Sequence, residues 1–269
     1  MHDPVIQVRG LTKEFANGTR ALNGVDLQVR AGETVVLLGA NGSGKSTLQK
    51  CLTKLVRPTS GSVQVLGAEV TTASTREISA LRRDVGVVFQ RINLVRELSV
   101  LTNVIHGSLG RARSPRNWFA ASARSEQREE AMEALDRVGL AHVADRRAEQ
   151  LSGGQQQRVA IARMLMQRPQ VVLADEPVAA LDPRAGRAVM DLLWEVTQEQ
   201  GLTLVCTLHQ LELARAYGDR VVALRDGVVD MDTRMSRVAD EQLEGLYRLF
   251  TVERGALVGG GSCGVGVSA

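Results

Sequence analysis

The segment Gly39-Ala-Asn-Gly-Ser-Gly-Lys-Ser46 restricts the fold of this chain more than any other feature. It follows a short β-branched apolar run, Thr34–Gly39, and precedes a segment with helical spacing that begins at Ser46. Glycines at these positions let successive backbone N–H groups surround a phosphate, and a helix N-terminus adds positive potential. A chance glycine-rich turn is disfavoured by this context. We therefore predict a phosphate-binding loop formed by Gly39, Ala40, Asn41, Gly42, Ser43, Gly44, Lys45, Ser46 and Thr47.

A pair of acidic residues would supply the carboxylates that a nucleotide site with this loop needs for Mg²⁺ and for the attacking water. The apolar run Val171–Ala174 is followed at once by Asp175 and Glu176, and parallel sheets bind ligands at the carboxyl ends of their strands. We expect Lys45 to contact the β- and γ-phosphates, and Ser46 and Asp175 to hold Mg²⁺. Glu176 would polarise the attacking water as the general base. In a chain without the phosphate-binding loop, the same two acids would simply indicate an acidic loop after a core strand.

Strands and helices alternate along most of the chain, which indicates an α/β protein. Further β-branched runs lie at Val85–Phe89, Leu202–Leu208 and Val221–Leu224, and helical patterns such as Ala185–Gln200 separate most of them. Gly201 is suited to follow the end of that helix. Because parallel strands need long crossovers, this alternation predicts a mainly parallel sheet with helices on both faces.

Hairpin signals mark both ends of this region. The runs Val5–Val8 and Val25–Val29 enclose Asn17-Gly18, and Asp226-Gly227 follows the last predicted strand. They predict a small antiparallel sheet at the N-terminus and an antiparallel strand pair near the end of the fold.

Residues 91–167 show no convincing strand pattern and are predicted to be a helical insertion, with helices at Ser125–Val138 and Gln155–Gln167. Within it, residues 110–124 carry several arginines beside Trp118-Phe119. A solvated loop with an aromatic anchor is the favoured interpretation, and a partner surface is the alternative. The glycine-rich tail 255–269 is predicted to be disordered.

Charge and cysteine content exclude several classes of protein. The balance of 33 basic and 30 acidic residues gives a net charge of +3, too small to indicate nucleic-acid binding. Cys51, Cys206 and Cys263 fit no metal spacing, which favours a reduced cytosolic protein with Cys51 and Cys206 buried. We predict no signal peptide and no membrane span, because the apolar runs are far shorter than the ~20 residues a bilayer requires.

The pentapeptide Leu151-Ser152-Gly153-Gly154-Gln155 resembles the signature of the ATP-binding-cassette (ABC) ATPases. Other family landmarks fall in the right order, and Ala180-Leu181-Asp182-Pro183 resembles the aspartate loop of the family, with an alanine where a serine is commoner. The resemblance covers about residues 4–230. It implies that Phe15 lies against adenine, that Gln90 senses the γ-phosphate and contacts Mg²⁺, that Asp182 belongs to the aspartate loop, and that His209 is the switch histidine. It also implies a P-loop NTPase core with an N-terminal antiparallel β subdomain and an inserted α-helical subdomain.

The resemblance further implies ATP and Mg²⁺ as cofactors and a homodimer packed head to tail, in which the signature of one chain contacts ATP held by the other. A serine and two glycines before a helix suit that task, because they offer a hydroxyl, free N–H groups and a dipole end. It divides the chain into one ABC ATPase domain, 1–254, in which 1–90 and 168–254 form the ATP-binding core and 91–167 the helical subdomain.

The segments 93–104, 106–111 and 174–183 resemble the ATP-binding subunits of bacterial phosphonate importers, although Arg91 stands where an aromatic or apolar residue is expected. This implies an ATPase on the cytoplasmic face of the inner membrane, with two integral membrane permease subunits, an external solute-binding protein and no nucleic acid. Three alternatives stay open: an importer for amino acids, phosphate or metal chelates, a soluble ABC ATPase, and a P-loop kinase.

Overall fold

The computed structural model describes residues 4–90, 92–111, 120–239 and 241–242. The predicted arginine and tryptophan segment falls largely outside these ranges, at 112–119, and so does the predicted disordered tail. No helix within the described ranges has the length and apolar character needed to cross a bilayer.

An antiparallel sheet covers one side of the molecule. Its strands are β1 (Ile6–Glu14), β2 (Arg20–Val29), β4 (Ser60–Val65) and β5 (Ala68–Glu69), in the order β2-β1-β4-β5. The predicted hairpin around Gly18 is confirmed, but β4 and β5 were missed. Strand β4 opens with the polar sequence Ser60-Gly61-Ser62, which weakens its β pattern, and pairing with β1 at Val8↔Val63 holds it in place.

The second sheet has six strands in the order β10-β9-β3-β8-β7-β6. They are β3 (Thr34–Leu38), β6 (Val85–Val88), β7 (Val171–Asp175), β8 (Thr203–Thr207), β9 (Arg220–Arg225) and β10 (Val228–Arg234). All neighbours are parallel except β9 and β10, which pair through the predicted hairpin. Asp226 and Gly227 both have positive φ, 48° and 76°, as a two-residue hairpin turn of this type requires.

Seven α-helices occupy the described ranges: α1 (Lys45–Leu52), α2 (Thr75–Asp84), α3 (Val100–Ile105), α4 (Ser125–Arg137), α5 (Gly153–Gln167), α6 (Pro183–Glu199) and α7 (Leu211–Tyr217). The predicted helices in α1, α4, α5 and α6 are confirmed, whereas α2 and α3 were not predicted. Helix α2 begins with a capping box between Ser74 and Glu77, and Gly201 follows α6 with a φ of 63°.

Alternate residues of β3 face two hydrophobic cores, one on each side of the parallel sheet. Val36 and Leu38 join the larger core, with apolar residues of α3, α4, α5 and α6. Val35 and Leu37 join the smaller one, with α1 and the antiparallel sheet. Both predicted buried cysteines, Cys51 and Cys206, are buried. The strand that leads into the predicted phosphate-binding loop is thus packed against a hydrophobic core on both faces.

Helices α3, α4 and α5 pack against one another, and the described residues between 92 and 167 form no paired strand beyond one isolated bridge, Ser99↔Arg147. This agrees with the predicted helical insertion, while the exact domain boundaries remain a prediction. Arg111, from the arginine-rich segment, donates to the carbonyl of Met166 and lies 3.4 Å from Glu130.

Candidate active site

The loop from Gly39 to Gly44 joins β3 to α1 and depends on glycine at two positions. A Cβ on Gly39 would lie 2.4 Å from the carbonyl oxygen of Leu224, and one on Gly44 would lie 2.4 Å from that of Ala21. Gly42 and Gly44 have φ of 86° and 104°, a conformation that disfavours other residues. The backbone of two neighbouring strands therefore fixes the loop before any ligand is considered.

Lys45 is buried at the first position of α1, and its ammonium group faces back into the loop. Its Nζ donates to the carbonyls of Gly39 (2.8 Å) and Ala40 (2.9 Å). Burial lowers the pKa of Lys45 from its ordinary value, and the carboxylates of Glu176 and Asp175 oppose that shift. An anion placed in the loop would meet a desolvated cation, for which charge pairing is strong.

Ser46 lies one residue further along α1 and reaches the end of β7. Its hydroxyl donates to Oδ1 of Asp175 at 2.8 Å, and the hydroxyl of Thr207, at the end of β8, donates to the same oxygen at 3.0 Å. Thr47 follows in the first turn of α1 and is half-buried. The structure thus brings together the two predicted Mg²⁺ ligands, which are far apart in sequence.

These oxygen donors fit Mg²⁺, which prefers carboxylate, hydroxyl and phosphate oxygens. No cluster of three His, Cys, Asp or Glu side chains that could hold a metal occurs in the part of the chain the structure describes. A cation at Ser46 and Asp175 would therefore take its other ligands from ATP and water, as Mg²⁺ commonly does.

Glu176 and His209 lie together at the carboxyl edge of the parallel sheet. His209 Nε2 is 2.5 Å from Glu176 Oε1, and Glu176 has a φ of 47°, uncommon for a residue with a β-carbon. Both residues line a cavity of about 320 Å³, together with Asn41 and Gln90. The predicted base, switch histidine and γ-phosphate sensor therefore face one space beside the predicted phosphate-binding loop.

Phe15 lies at the turn between β1 and β2, where its N–H donates to Thr19 and its ring is 39% exposed. The ammonium of Lys13 sits 4.9 Å from the ring centroid. Because Ala21 of β2 touches Gly44, this hairpin lies next to the loop. The hairpin that carries the exposed ring thus adjoins the loop through β2, and the stacking of Phe15 on adenine stays a prediction.

The signature pentapeptide spans the start of α5, where Ser152 and Gly153 are exposed and Leu151 is buried. Ser152 and Gln155 cap the helix reciprocally, and a Cβ on Gly153 would meet Leu181 at 3.2 Å. Asp182 caps α6 by accepting from the N–H of Ala185 at 3.0 Å. Within the described residues, the signature makes no hydrogen bond to the predicted phosphate-binding loop of its own chain.

Gly44→Ala tests whether the loop depends on close backbone approach. Gly18 is the matched control, since it also has positive φ, 80°, but has nothing within 4 Å of its Cβ position. We expect Gly18→Ala to cost about 1–2 kcal/mol of unfolding free energy. Gly44→Ala should cost about 1–3 kcal/mol more, because its Cβ collides with Ala21. Denaturant unfolding measures both, and equal losses would contradict the steric argument.

Sequence reasoning missed two residues that hold the site together. Thr207 bonds Asp175, and the side-chain amide of Gln49 on α1 donates to the carbonyls of Ala174 (3.2 Å) and Val205 (3.1 Å). Both are buried polar side chains. A threonine at the end of a mostly apolar strand, two residues before His209, was the available signal for the first. No pattern distinguished the second.

Comparison with known proteins places this geometry in a family. A family model described as ABC transporter matches residues 22–179. The phosphonates import ATP-binding protein PhnC of Nocardia farcinica is 50% identical over 255 residues, 95% of this chain and 94% of that protein. The phosphate-import ATP-binding protein PhnC of Mycolicibacterium smegmatis is 51% identical over 246 residues, 91% of this chain and 93% of that protein.

A solved structure agrees with this assignment. The dimeric post-hydrolysis state of the ATP-binding cassette MJ0796, bound to ADP and Pi, superposes with a TM-score of 0.76 at 36% identity, covering 86% of this chain and 98% of that one. The predicted fold class, a P-loop NTPase core with an antiparallel sheet and inserted helices, is confirmed. The chain belongs to the ABC transporter family, as one of its ATP-binding, ATP-hydrolysing cassettes.

Proposed function

We propose that the chain is the ATP-hydrolysing subunit of an importer for phosphonate or a related oxyanion. The main support for ATP hydrolysis is that five side chains of suitable chemistry meet at one sheet edge: Lys45, Ser46, Asp175, Glu176 and His209. The solute follows from relatives that share half of the sequence and are named for phosphonates and for phosphate import. Phosphate is the second candidate solute, because the relative named for phosphate import is as similar to this chain as the one named for phosphonates.

Each residue has a separate task in this proposal. Lys45 and the loop N–H groups bind the phosphates, and Phe15 stacks on adenine. Glu176 accepts the proton of the attacking water, and His209, hydrogen-bonded to its carboxylate, keeps that side chain in place. Gln90, on the same cavity, contacts the γ-phosphate end. Mg²⁺, held by Ser46 and Asp175, supplies positive charge against the phosphate oxygens.

The signature acts in trans in this proposal. Ser152 and Gly153 are exposed at the N-terminus of α5, which leaves them accessible to ATP held by a second copy. The dimeric cassette similar to this chain supports such a pairing. ATP would close the pair and hydrolysis would open it, which is a ligand-driven shift between two states.

The proposed partners are two integral membrane permease subunits and an external binding protein, with this chain peripheral on the cytoplasmic face of the inner membrane. The segment after Gln90 would meet the permease. Asn103 on α3 donates to Val95 and Ser99 within this segment, and Gln157 on α5 donates to the carbonyl of Phe89, directly before Gln90. These bonds tie both sides of Gln90 to the helical region.

Reconstitution tests this function. The chain would be co-purified with the permease and binding protein encoded beside it, placed in proteoliposomes, and assayed for ATP hydrolysis with methylphosphonate or inorganic phosphate outside. We expect hydrolysis to rise with methylphosphonate. A rise with phosphate alone would favour the second solute. Failure to form a complex, with hydrolysis unaffected by either solute, would favour a soluble ABC ATPase.

A further inference from the structure

Thr207 occupies a central position behind the two acids of the proposed site. Its hydroxyl accepts the backbone N–H of Glu176 at 2.7 Å and donates to Oδ1 of Asp175 at 3.0 Å. It is directly opposite Asp175 in the parallel pairing of β7 and β8, and it is fully buried. A single side chain thus contacts both neighbouring acids, one through the carboxylate and the other through the backbone.

The chemistry of a hydroxyl suits this double contact. It has one proton to donate and lone pairs to accept, so both bonds form at once. A buried polar group costs free energy unless it is paired, and here both of its contacts go to the site. The bond to Glu176 N–H falls where the backbone has a φ of 47°, a conformation that persists only when its surroundings enforce it.

The same strand carries a second buried threonine with an unrelated partner. Thr203, at the other end of β8, accepts the N–H of Gly32 at 3.0 Å and is 2% exposed. It lies away from the carboxyl edge, where the acids, Ser46 and His209 gather. Thr203 therefore matches Thr207 in residue type, strand, burial and the acceptance of a backbone N–H, but not in contact with the acids.

We propose that Thr207 is a positioning residue for ATP hydrolysis, which fixes the carboxylate of Asp175 and the backbone of Glu176 relative to each other. The inference rests on the proposed roles of those two acids. Thr207 lines the same cavity as Glu176 and His209, but its hydroxyl is assigned no proton transfer of its own. It acts by limiting the rotation of the Asp175 side chain and by holding Glu176 in the backbone conformation that directs its carboxylate toward His209.

Three variants in the full chain test this: Thr207→Val, which keeps the shape and removes the hydroxyl, Thr207→Ser, which restores the hydroxyl, and Thr203→Val as the matched control. We expect Thr207→Val to lower kcat by about 10–100-fold, the usual range for losing a partner of a metal ligand. KM for ATP should rise by a much smaller factor than the one by which kcat falls. Thr207→Ser should recover most of the activity, and Thr203→Val should keep it.

A binding measurement separates positioning from general damage. ATP affinity is titrated in MgCl₂ and in EDTA, and thermal unfolding is recorded for every variant. We expect the gain in affinity due to Mg²⁺ to shrink in Thr207→Val and to persist in Thr203→Val. If the valine variant does not fold, Thr207→Ala takes its place. Equal losses in the Thr207 and Thr203 variants, or no rescue by serine, would overturn the inference.

Glu176→Gln, assayed in parallel, distinguishes failure of this inference from failure of the proposed roles. If Glu176→Gln is slow while Thr207→Val is as fast as the parent, only the positioning role is wrong. If Glu176→Gln hydrolyses ATP at the parent rate, the proposed role of that acid is wrong, and the inference loses its basis with it.

Discussion

Replacing Glu176 by glutamine is expected to lower kcat for ATP hydrolysis by about 10²–10⁴-fold, the contribution typical of a general base. The amide keeps the size of the side chain and can still hydrogen-bond His209, but it cannot accept the proton of the attacking water. ATP affinity should be retained, because binding rests on the loop and Lys45. Since hydrolysis would then no longer open the dimer, the variant should stay dimeric in ATP.

Phosphate release measures turnover, and light scattering with ATP and Mg²⁺ measures the dimer. Glu212→Gln is the control, because it removes an exposed carboxylate three residues beyond His209 without touching the site. Its turnover should match the parent. Undiminished turnover in Glu176→Gln would remove this residue from the role of base, and ATP binding lost together with turnover would indicate structural damage.

Replacing Lys45 by alanine is expected to weaken ATP binding by roughly 30-fold or more, because truncating one member of a buried charge pair costs at least about 2 kcal/mol. The ammonium is buried within the loop, and burial lowers its pKa, so its positive charge is poorly solvated without a phosphate. Alanine removes that charge and leaves the carbonyls of Gly39 and Ala40 without their donor.

Lys54→Ala controls for the second effect. Lys54 Nζ also donates to two backbone carbonyls, those of Thr71 (2.9 Å) and Ala73 (2.6 Å), but it lies beyond the far end of α1. Both variants should lose some stability in denaturant unfolding, whereas only Lys45→Ala should lose ATP affinity in calorimetric titration. Unchanged affinity in Lys45→Ala would contradict the assignment of the phosphate-binding loop.

The sequence was sufficient to predict an element wherever the residues that determine it are consecutive. The phosphate-binding loop, both hairpins and the helices α4, α5 and α6 were predicted, because glycine spacing, turn residues and apolar periodicity are properties of consecutive residues. Asp175 and Glu176 were found for the same reason, as two acids at the end of an apolar run. The resemblance to ABC ATPases then supplied Gln90, Asp182, His209 and the signature.

The tertiary structure was needed to explain elements and residues that depend on contacts between segments far apart in sequence. Strand β4 has a weak pattern of its own, yet it is held by pairing with β1. The six-residue helix α3 is stabilised by packing against distant residues of the larger core. The reason that Gly44 must be glycine is likewise the carbonyl of Ala21 on another strand. None of these contacts can be inferred from neighbouring residues.

The sequence by itself was enough to predict a phosphate-binding loop between a strand and a helix and an acidic pair that accompanies it. The tertiary structure decided how these parts meet: Ser46 with Asp175, Glu176 with His209, and Thr207 between the two acids. The physical reason is that hydrogen bonds act over about 3 Å. The register of parallel strands β7 and β8, set by the whole sheet, brings residues from three segments within that distance.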